Sequence, residues 1–204
     1  MEERKTHWEN VFSTKQETEV SWYQQKPQTS INFFTENSIS KDAKIVDIGG
    51  GDSYLIDSLL ELGYTNLYLL DISKYAIEKI KKRLGENSSK VKFIISNILD
   101  FQTDVKFDVW HDRASFHFLT APEDIQNYKN KVNDYTAENA RLFIGTFSEN
   151  GPKKCSGLDI TQYRETSLNE VFQEYFTLAN SIFENHKTPF DTEQNFIFCS
   201  FKKK

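Results

Sequence analysis

Two clusters in this chain have residue types and spacings that could do chemistry. In the first, Val46-Asp47-Ile48-Gly49-Gly50-Gly51-Asp52-Ser53, an apolar run from Lys44 to Ile48 breaks into three glycines and re-forms from Tyr54 as a helical pattern. That is the strand, tight turn and helix of a βαβ unit, and its glycines let backbone approach a ligand. Twenty positions after Gly51, Asp71 ends the next apolar run, Asn66 to Leu70. A carboxylate at that place can accept from both ribose hydroxyls of an adenosine. The second cluster is Trp110-His111-Asp112-Arg113-Ala114-Ser115-Phe116-His117-Phe118-Leu119-Thr120. It groups two histidines, an acid-base pair and aromatics at the end of the fourth predicted strand. His111 is expected beside the reactive centre and His117 as a base or substrate ligand, while Asp112 and Arg113 could orient one another or an anionic group. The plainer reading of the same residues is an ordered loop and a core histidine.

Charge selects the adenosine ligand. A dinucleotide would bring a pyrophosphate to a loop bracketed by Asp47 and Asp52, whose carboxylates repel it, and the third glycine of G-x-G-x-x-G is missing. No G-x-x-x-x-G-K-[ST] phosphate loop is present either. S-adenosylmethionine has no phosphate and carries an ammonium and a sulfonium, so acidic neighbours favour it.

Asp47-Ile48-Gly49-Gly50-Gly51, Leu70-Asp71-Ile72-Ser73, Asn97-Ile98 and Phe107-Asp108-Val109-Trp110 occur in the order of motifs I to IV of class I S-adenosylmethionine-dependent methyltransferases. The chain resembles that family over most of its length. The likeness extends to bacterial members without an assigned acceptor, through Trp22-Tyr23, His111-Asp112-Arg113 and His186-Lys187-Thr188-Pro189-Phe190. The resemblance implies that Gly49, Gly50 and Gly51 pass close to the cofactor's methionine part and that Asp47 helps bind its amino group. It implies also that Asp71 takes the ribose, Ile72 walls the adenine, and Asn97-Ile98 meets the adenine edge, with Trp22 on the cofactor side. Many relatives have Asp where this chain has Asn97, and a Pro-Gly-Gly turn where it has Ala140-Arg141. The implied sheet has seven strands in order 3-2-1-4-5-7-6, the seventh antiparallel.

The 204 residues, 38% hydrophobic and 14% aromatic, suffice for one packed domain. Residues 1–40 read as its helical N-terminal cap, with Trp8 and Phe12 at helical spacing, and residues 41–204 as the cofactor-binding part. A net charge of −5 with no long basic stripe argues against nucleic acid as a partner. Lys79, Lys81, Lys82 and Arg83 share a helix with Ile77, Ile80 and Leu84 and read as a solvated face. Two cysteines in no metal-type spacing, an N-terminus without an apolar signal core, and no membrane-length apolar run predict a cytoplasmic protein with no metal and no membrane attachment.

Helices are expected at Tyr54 to Leu62, stopped by Gly63; at Lys74 to Leu84, between a Ser73 cap and a Gly85 stop; and at Pro122 to Tyr135, capped by Thr120. Ser53 reads as a cap of the first of these. Further strands are Val91 to Ile95, Phe107 to Trp110 and Leu142 to Phe147. Alternation of strand and helix predicts a doubly wound, mostly parallel, Rossmann-like α/β sheet. A hairpin, Phe176 to His186 and Gln194 to Phe201, closes it.

Methyl transfer is an in-line displacement at a carbon already activated by the sulfonium, so positioning and desolvation carry most of it. The leading expectation is transfer to a small-molecule nucleophile, a thiol or other heteroatom. Tyr23, Phe116 and Cys155 would bind it, Trp22 and Phe118 would help roof the pocket, and Lys153 and Lys154 could lower the Cys155 thiol pKa. Asp112-Arg113 resembles the corresponding element of thiopurine-type S-methyltransferases. The alternatives are a protein-lysine methyltransferase, since the N-terminal helix and the same pair resemble the elongation-factor group, and a protein that binds the cofactor without turnover.

Overall fold

The computed structural model describes residues 2–204. Met1, the first residue of the expected cap, lies outside the described residues. Apolar runs become strands where they must be buried on both faces. β1 (Lys44–Ile48), β2 (Asn66–Asp71), β3 (Val91–Ile95), β4 (Phe107–Arg113) and β5 (Thr136–Phe147) run parallel, and β6 (Phe176–Lys187) and β7 (Glu193–Lys203) form the closing hairpin. The sheet order is β3-β2-β1-β4-β5-β7-β6, with β7 antiparallel to β5.

Helices cover both faces. α2 (Gln28–Glu36), α3 (Leu55–Glu61) and α4 (Lys74–Leu84) pack on one, around Phe34, Ile56, Leu69, Ile80 and Phe143. α5 (Pro122–Tyr135) and α6 (Glu165–Phe172) pack on the other, around Trp110, Phe116, Tyr128 and Phe172. Side-chain alternation along each strand sorts residues between these layers. On β4, Val109 goes to the α2 side and Trp110 to the α5 side.

Ser73 caps α4, its hydroxyl accepting from Ala76 N at 3.2 Å, and Gly85 ends that helix at φ +57°. Two other expected caps differ. Ala121, not Thr120, occupies the cap position of α5, which gains no side-chain bond there. Tyr54 stands at the cap of α3, and Ser53 Oγ receives only a 3.4 Å contact from Leu55 N. β5 begins at Thr136 rather than Leu142: pairing jumps from Phe107↔Thr136 to Val109↔Arg141, and Asn139 takes φ +61° in the bulge between them. Residues 137–140 are thus absorbed into the strand as the bulge, and Arg141 resumes the pairing opposite Val109.

Before β1, α1 (Glu2–Thr14) crosses the carboxyl ends of the strands. Its Glu9 carboxylate accepts from Ser73 Oγ (2.6 Å), Lys74 N (3.0 Å) and Tyr75 N (3.1 Å), placing negative charge on the amino end of α4. No helix among the described residues is long and apolar enough to cross a membrane.

Candidate active site

The carboxyl ends of β1, β2 and β4 open into a cavity of about 1280 Å³, its mouth included. Strand register brings Asp47 beside His111 and Ile48 beside Asp112. After Ile48 the chain must turn sharply, and Gly49 and Gly51 do so at φ +62° and +54°. A Cβ on Gly49 would lie 2.5 Å from Ser115 Cβ, and one on Gly51 would lie 2.9 Å from Phe12 of α1. Gly50 lies over Asp47: a Cβ there would stand 2.5 Å from Asp47 Oδ2. The loop therefore tolerates no side chain on its cavity side.

Asp71 ends β2 at the cavity wall. Its Oδ2 accepts from Gly51 N (2.9 Å) and its Oδ1 from Ser73 N (2.8 Å). Burial pushes its carboxyl up to about 7, against the pull of those two N–H groups. Ile72 and Ile98 supply apolar wall beside it, and Asn97 lines the same end. Asn97 Oδ1 already accepts from Leu99 N at 3.0 Å, which closes its own turn and leaves that oxygen one further lone pair.

Arg83 clamps the loop from behind. It donates to the carbonyls of Asp52 (2.7 Å) and Ser53 (2.6 Å), pairs with Asp57 at 2.8 Å, and lies 4.0 Å over the Tyr54 ring. The expectation of a solvated face is corrected here, because at the end of α4 Arg83 turns inward over the glycine loop and its side chain is 20% exposed. Burial pushes the Asp52 carboxyl above its usual range, offset by Lys79 and Arg83.

The second cluster divides. Alternation along β4 points His111 and Arg113 to the cavity and Asp112 to the opposite layer. His111 Nδ1 lies 2.7 Å from Asp47 Oδ1 and Nε2 lies 2.9 Å from Ser30 Oγ of α2. A carboxylate only accepts, so Nδ1 donates to it, while Nε2 is engaged with the Ser30 hydroxyl. With both nitrogens engaged, His111 orients Asp47 and is not a free base. Asp47 Oδ2 is buried and has no partner.

Asp112 does not pair with Arg113. It accepts from Ser115 N and Phe116 N (both 3.0 Å) and from Tyr128 OH (2.6 Å), which shapes the turn after β4 where Ala114 takes φ +66°. Burial lifts its carboxyl to about 6. His117 corrects the expected base. It is fully buried against Phe118 and Phe147, lies off the cavity, and burial drives its imidazole down to about 3. Phe116 corrects the expected substrate contact: it is fully buried among Tyr128, Tyr163 and Phe172.

The roof is aromatic. Trp8 of α1 meets Trp22 at 5.7 Å and Phe118 at 5.1 Å between ring centres, and Tyr23 stacks edge-on against Tyr54 at 6.2 Å. Trp22 and Tyr23 both line the cavity. Cys155 also lines it, from a short hairpin of Lys154–Cys155 and Leu158–Asp159, and His7 of α1 contacts Ser156 there at 3.2 Å. Lys154 pairs with Asp159 and Lys153 is exposed. The Cys155 thiol is therefore not lowered by them; burial pushes it up to about 12.

Sequence reasoning missed Ser30, Glu9, His7 and Phe12 as parts of this site. Trp8 and Phe12 carried the signal of an apolar stripe at helical spacing. The polar three carried none, since their partners lie 64 to 149 positions away. No group of three or more metal-ligating side chains lies together among the described residues.

The donor set suits an adenosine sulfonium. A buried carboxylate, Asp71, ends β2 at the cavity wall, an unpartnered oxygen of Asp47 lies under a side-chain-free loop, and the cations beside that loop, Lys79 and Arg83, are engaged by Asp52, Ser53 and Asp57.

Comparison with known proteins agrees. Residues 39–194 match the family model described as a methyltransferase domain. EEF1A lysine methyltransferase 2 of Danio rerio is 27% identical over 136 residues, covering 61% of this chain and 58% of its own length. The eEF1A lysine and N-terminal methyltransferase of Mus musculus is 24% identical over 119 residues, covering 58% of this chain and 17% of its own. The chain thus spans 58% of the first relative and 17% of the second. Among solved structures, the fold is shared with one from the conversion of a disulfide bond into a thioacetal group during echinomycin biosynthesis (TM-score 0.80, 16% identity, 98% of this chain and 92% of that one). It is shared also with the N-methyltransferase NodS of Bradyrhizobium japonicum in complex with S-adenosylhomocysteine (TM-score 0.69, 12% identity, 97% and 98%). Four motifs in order, the seven-stranded sheet and a family match across most of the chain lead to one conclusion: this protein belongs to the methyltransferase-domain family and has the fold of S-adenosylmethionine-dependent methyltransferases.

Proposed function

We propose that the protein methylates a small-molecule nucleophile, a thiol or another heteroatom, inside a roofed cavity. The observation that carries this reading is the roof. α1 lies across the strand ends, held by Glu9 to the start of α4 and by His7 to the Ser156 turn, and Trp8, Trp22 and Phe118 roof the space beneath it. A roof of that kind excludes water and suits an acceptor that is enclosed whole.

S-adenosylmethionine, when bound, supplies a methyl group activated by its sulfonium. Asp71 would hold its ribose, Ile72, Asn97 and Ile98 its adenine, and Gly49, Gly50, Gly51 and Asp47 its methionine end, with Trp22 above. Through Asp47, His111 and Ser30 keep a carboxylate oriented at the loop. A thiol or amine that arrives unprotonated needs no base, which fits a site whose two expected bases are engaged or buried. Cys155 contributes wall rather than a nucleophile. Both cysteines are free, and we place the protein in the reducing cytoplasm.

The second reading is a protein-lysine methyltransferase, favoured by the two lysine-methylating relatives. The discriminating experiment measures S-adenosylhomocysteine formation with aryl and alkyl thiols, with small amines, and with intact elongation factor. Turnover on small molecules alone supports the proposal, and turnover on the folded protein alone overturns it.

A further inference from the structure

Arg113 is the one cation that β4 delivers into the cavity, and half of its guanidinium has nothing to bind. Nη1 donates to the Trp22 carbonyl at 3.2 Å. Nε and Nη2 are buried and have no hydrogen-bond partner. These two atoms share one edge of the planar group, the edge that meets both oxygens of a carboxylate side-on.

The surroundings offer no internal partner. Glu184 of β6 is engaged by Thr29 and by Gln24, and Asp47 faces His111. No carboxylate of the described residues lies within ion-pair distance of Arg113. The guanidinium sits 5.0 Å over the Phe196 ring of β7, a contact that holds its plane without satisfying its hydrogens. Burial pulls its pKa down to about 10, so it stays charged at neutral pH while paying for desolvation. A buried charged donor left without an acceptor is costly, and a ligand oxyanion removes that cost.

Position separates this edge from the adenosine end. Asp71, Ile72 and Asn97 lie at the β2–β3 side of the cavity, whereas Arg113 is framed by Trp22, Phe196 and the Cys155 hairpin on the β5–β7 side. We propose that Arg113 is the anion-binding residue of the acceptor pocket, and that the methyl acceptor is a small molecule bearing a carboxylate received by Nε and Nη2. This rests on the small-molecule reading above. A protonated lysine would be repelled at the same place, which adds a reason to prefer that reading.

The test is binding to the protein saturated with S-adenosylhomocysteine, so it needs no knowledge of the natural acceptor. Benzoate and phenylacetate are titrated against their carboxamides by calorimetry, with wild type, Arg113→Gln and Arg113→Lys. The expected result is that the carboxylates bind wild type at least tenfold more tightly than the amides. Arg113→Gln abolishes that preference and leaves affinity for S-adenosylhomocysteine within about twofold, and Arg113→Lys keeps only part of it. The comparison of acid with amide in wild type stands even if a variant fails to fold.

Equal binding of acids and amides, or no binding of either, overturns the proposal. So does a tenfold loss of S-adenosylhomocysteine affinity in Arg113→Gln with 5′-methylthioadenosine binding unchanged, because the guanidinium would then hold the cofactor's own carboxylate. Carboxylate selectivity together with methylation of folded protein alone would leave the anion site standing and defeat the small-molecule reading.

Discussion

The glycine loop after β1 and the turn after β4 lie side by side at the same end of the sheet, and both look dense with chemistry in the sequence. They differ in how their residues are used. Asp47, the three glycines and Asp71 all face one cavity, because each lies at a strand end or in a turn whose only open side is the ligand side. His111 to His117 instead begins on a strand, and strand alternation sends neighbours in opposite directions. His111 and Arg113 reach the cavity, while Asp112, Phe116 and His117 build the layer beneath α5 and the start of the next loop. Proximity in sequence is a guide to a shared site in a turn and a poor one along a strand.

That contrast predicts ligand effects in the first region and stability effects in half of the second. In the proposed placement Asp71→Ala removes the acceptor for both ribose hydroxyls, and affinity for S-adenosylhomocysteine should weaken by about 2–4 kcal/mol in a calorimetric titration. Unchanged affinity would break the placement of the ribose. Asp112→Ala should cost about 3 kcal/mol of folding stability, read from urea denaturation, because Ser115 N, Phe116 N and Tyr128 OH lose a buried acceptor. The folded fraction of that variant should bind the cofactor product normally; weak binding by well-folded protein would put Asp112 in the site after all.

The pH dependence is smaller and its sign follows from Asp71. Its carboxyl is raised by burial to about 7, so folded protein retains a proton that unfolded chain releases near 4. This group therefore makes the ligand-free fold less stable as pH rises from about 4 to 7. Binding in the proposed placement moves the other way, since the ribose hydroxyls would donate to the ionised form. Affinity for S-adenosylhomocysteine should fall by up to about tenfold per unit below pH 7, a slope absent in Asp71→Asn. A flat wild-type profile would contradict the shift.

The smallest effect is expected at His117, which reads in the sequence as a base or substrate ligand. His117→Phe should leave kcat and cofactor affinity unchanged and alter stability by about 1 kcal/mol, since Nε2 is buried without a partner, the neighbouring rings are aromatic, and the one bond lost is the long 3.4 Å contact from Phe147 N to Nδ1. A tenfold fall in turnover would return His117 to the site.

Much of the fold is legible because it depends on local signals. Ser73 and Gly85 bound α4, Pro122 starts α5, and the apolar runs mark the strands. The sheet order required the family resemblance, as pattern alone does not say which strands are neighbours. The start of β5 was hidden because a bulge at Asn139 lets polar residues continue a strand. In the site, Asp47 and Asp71 are legible from spacing, whereas Ser30 and Glu9 are not. A serine 81 positions from the histidine it touches, and a glutamate that caps a helix 64 positions away, have no local periodicity to betray them.

The central claim is that the glycine loop and Asp71 form a site for an adenosine sulfonium and not for a dinucleotide. Calorimetric titration of the wild-type protein with S-adenosylmethionine, S-adenosylhomocysteine and NAD tests it most directly. The account predicts that the first two bind, with one site per chain, and that NAD does not. Binding of NAD, or of none of the three, would contradict it.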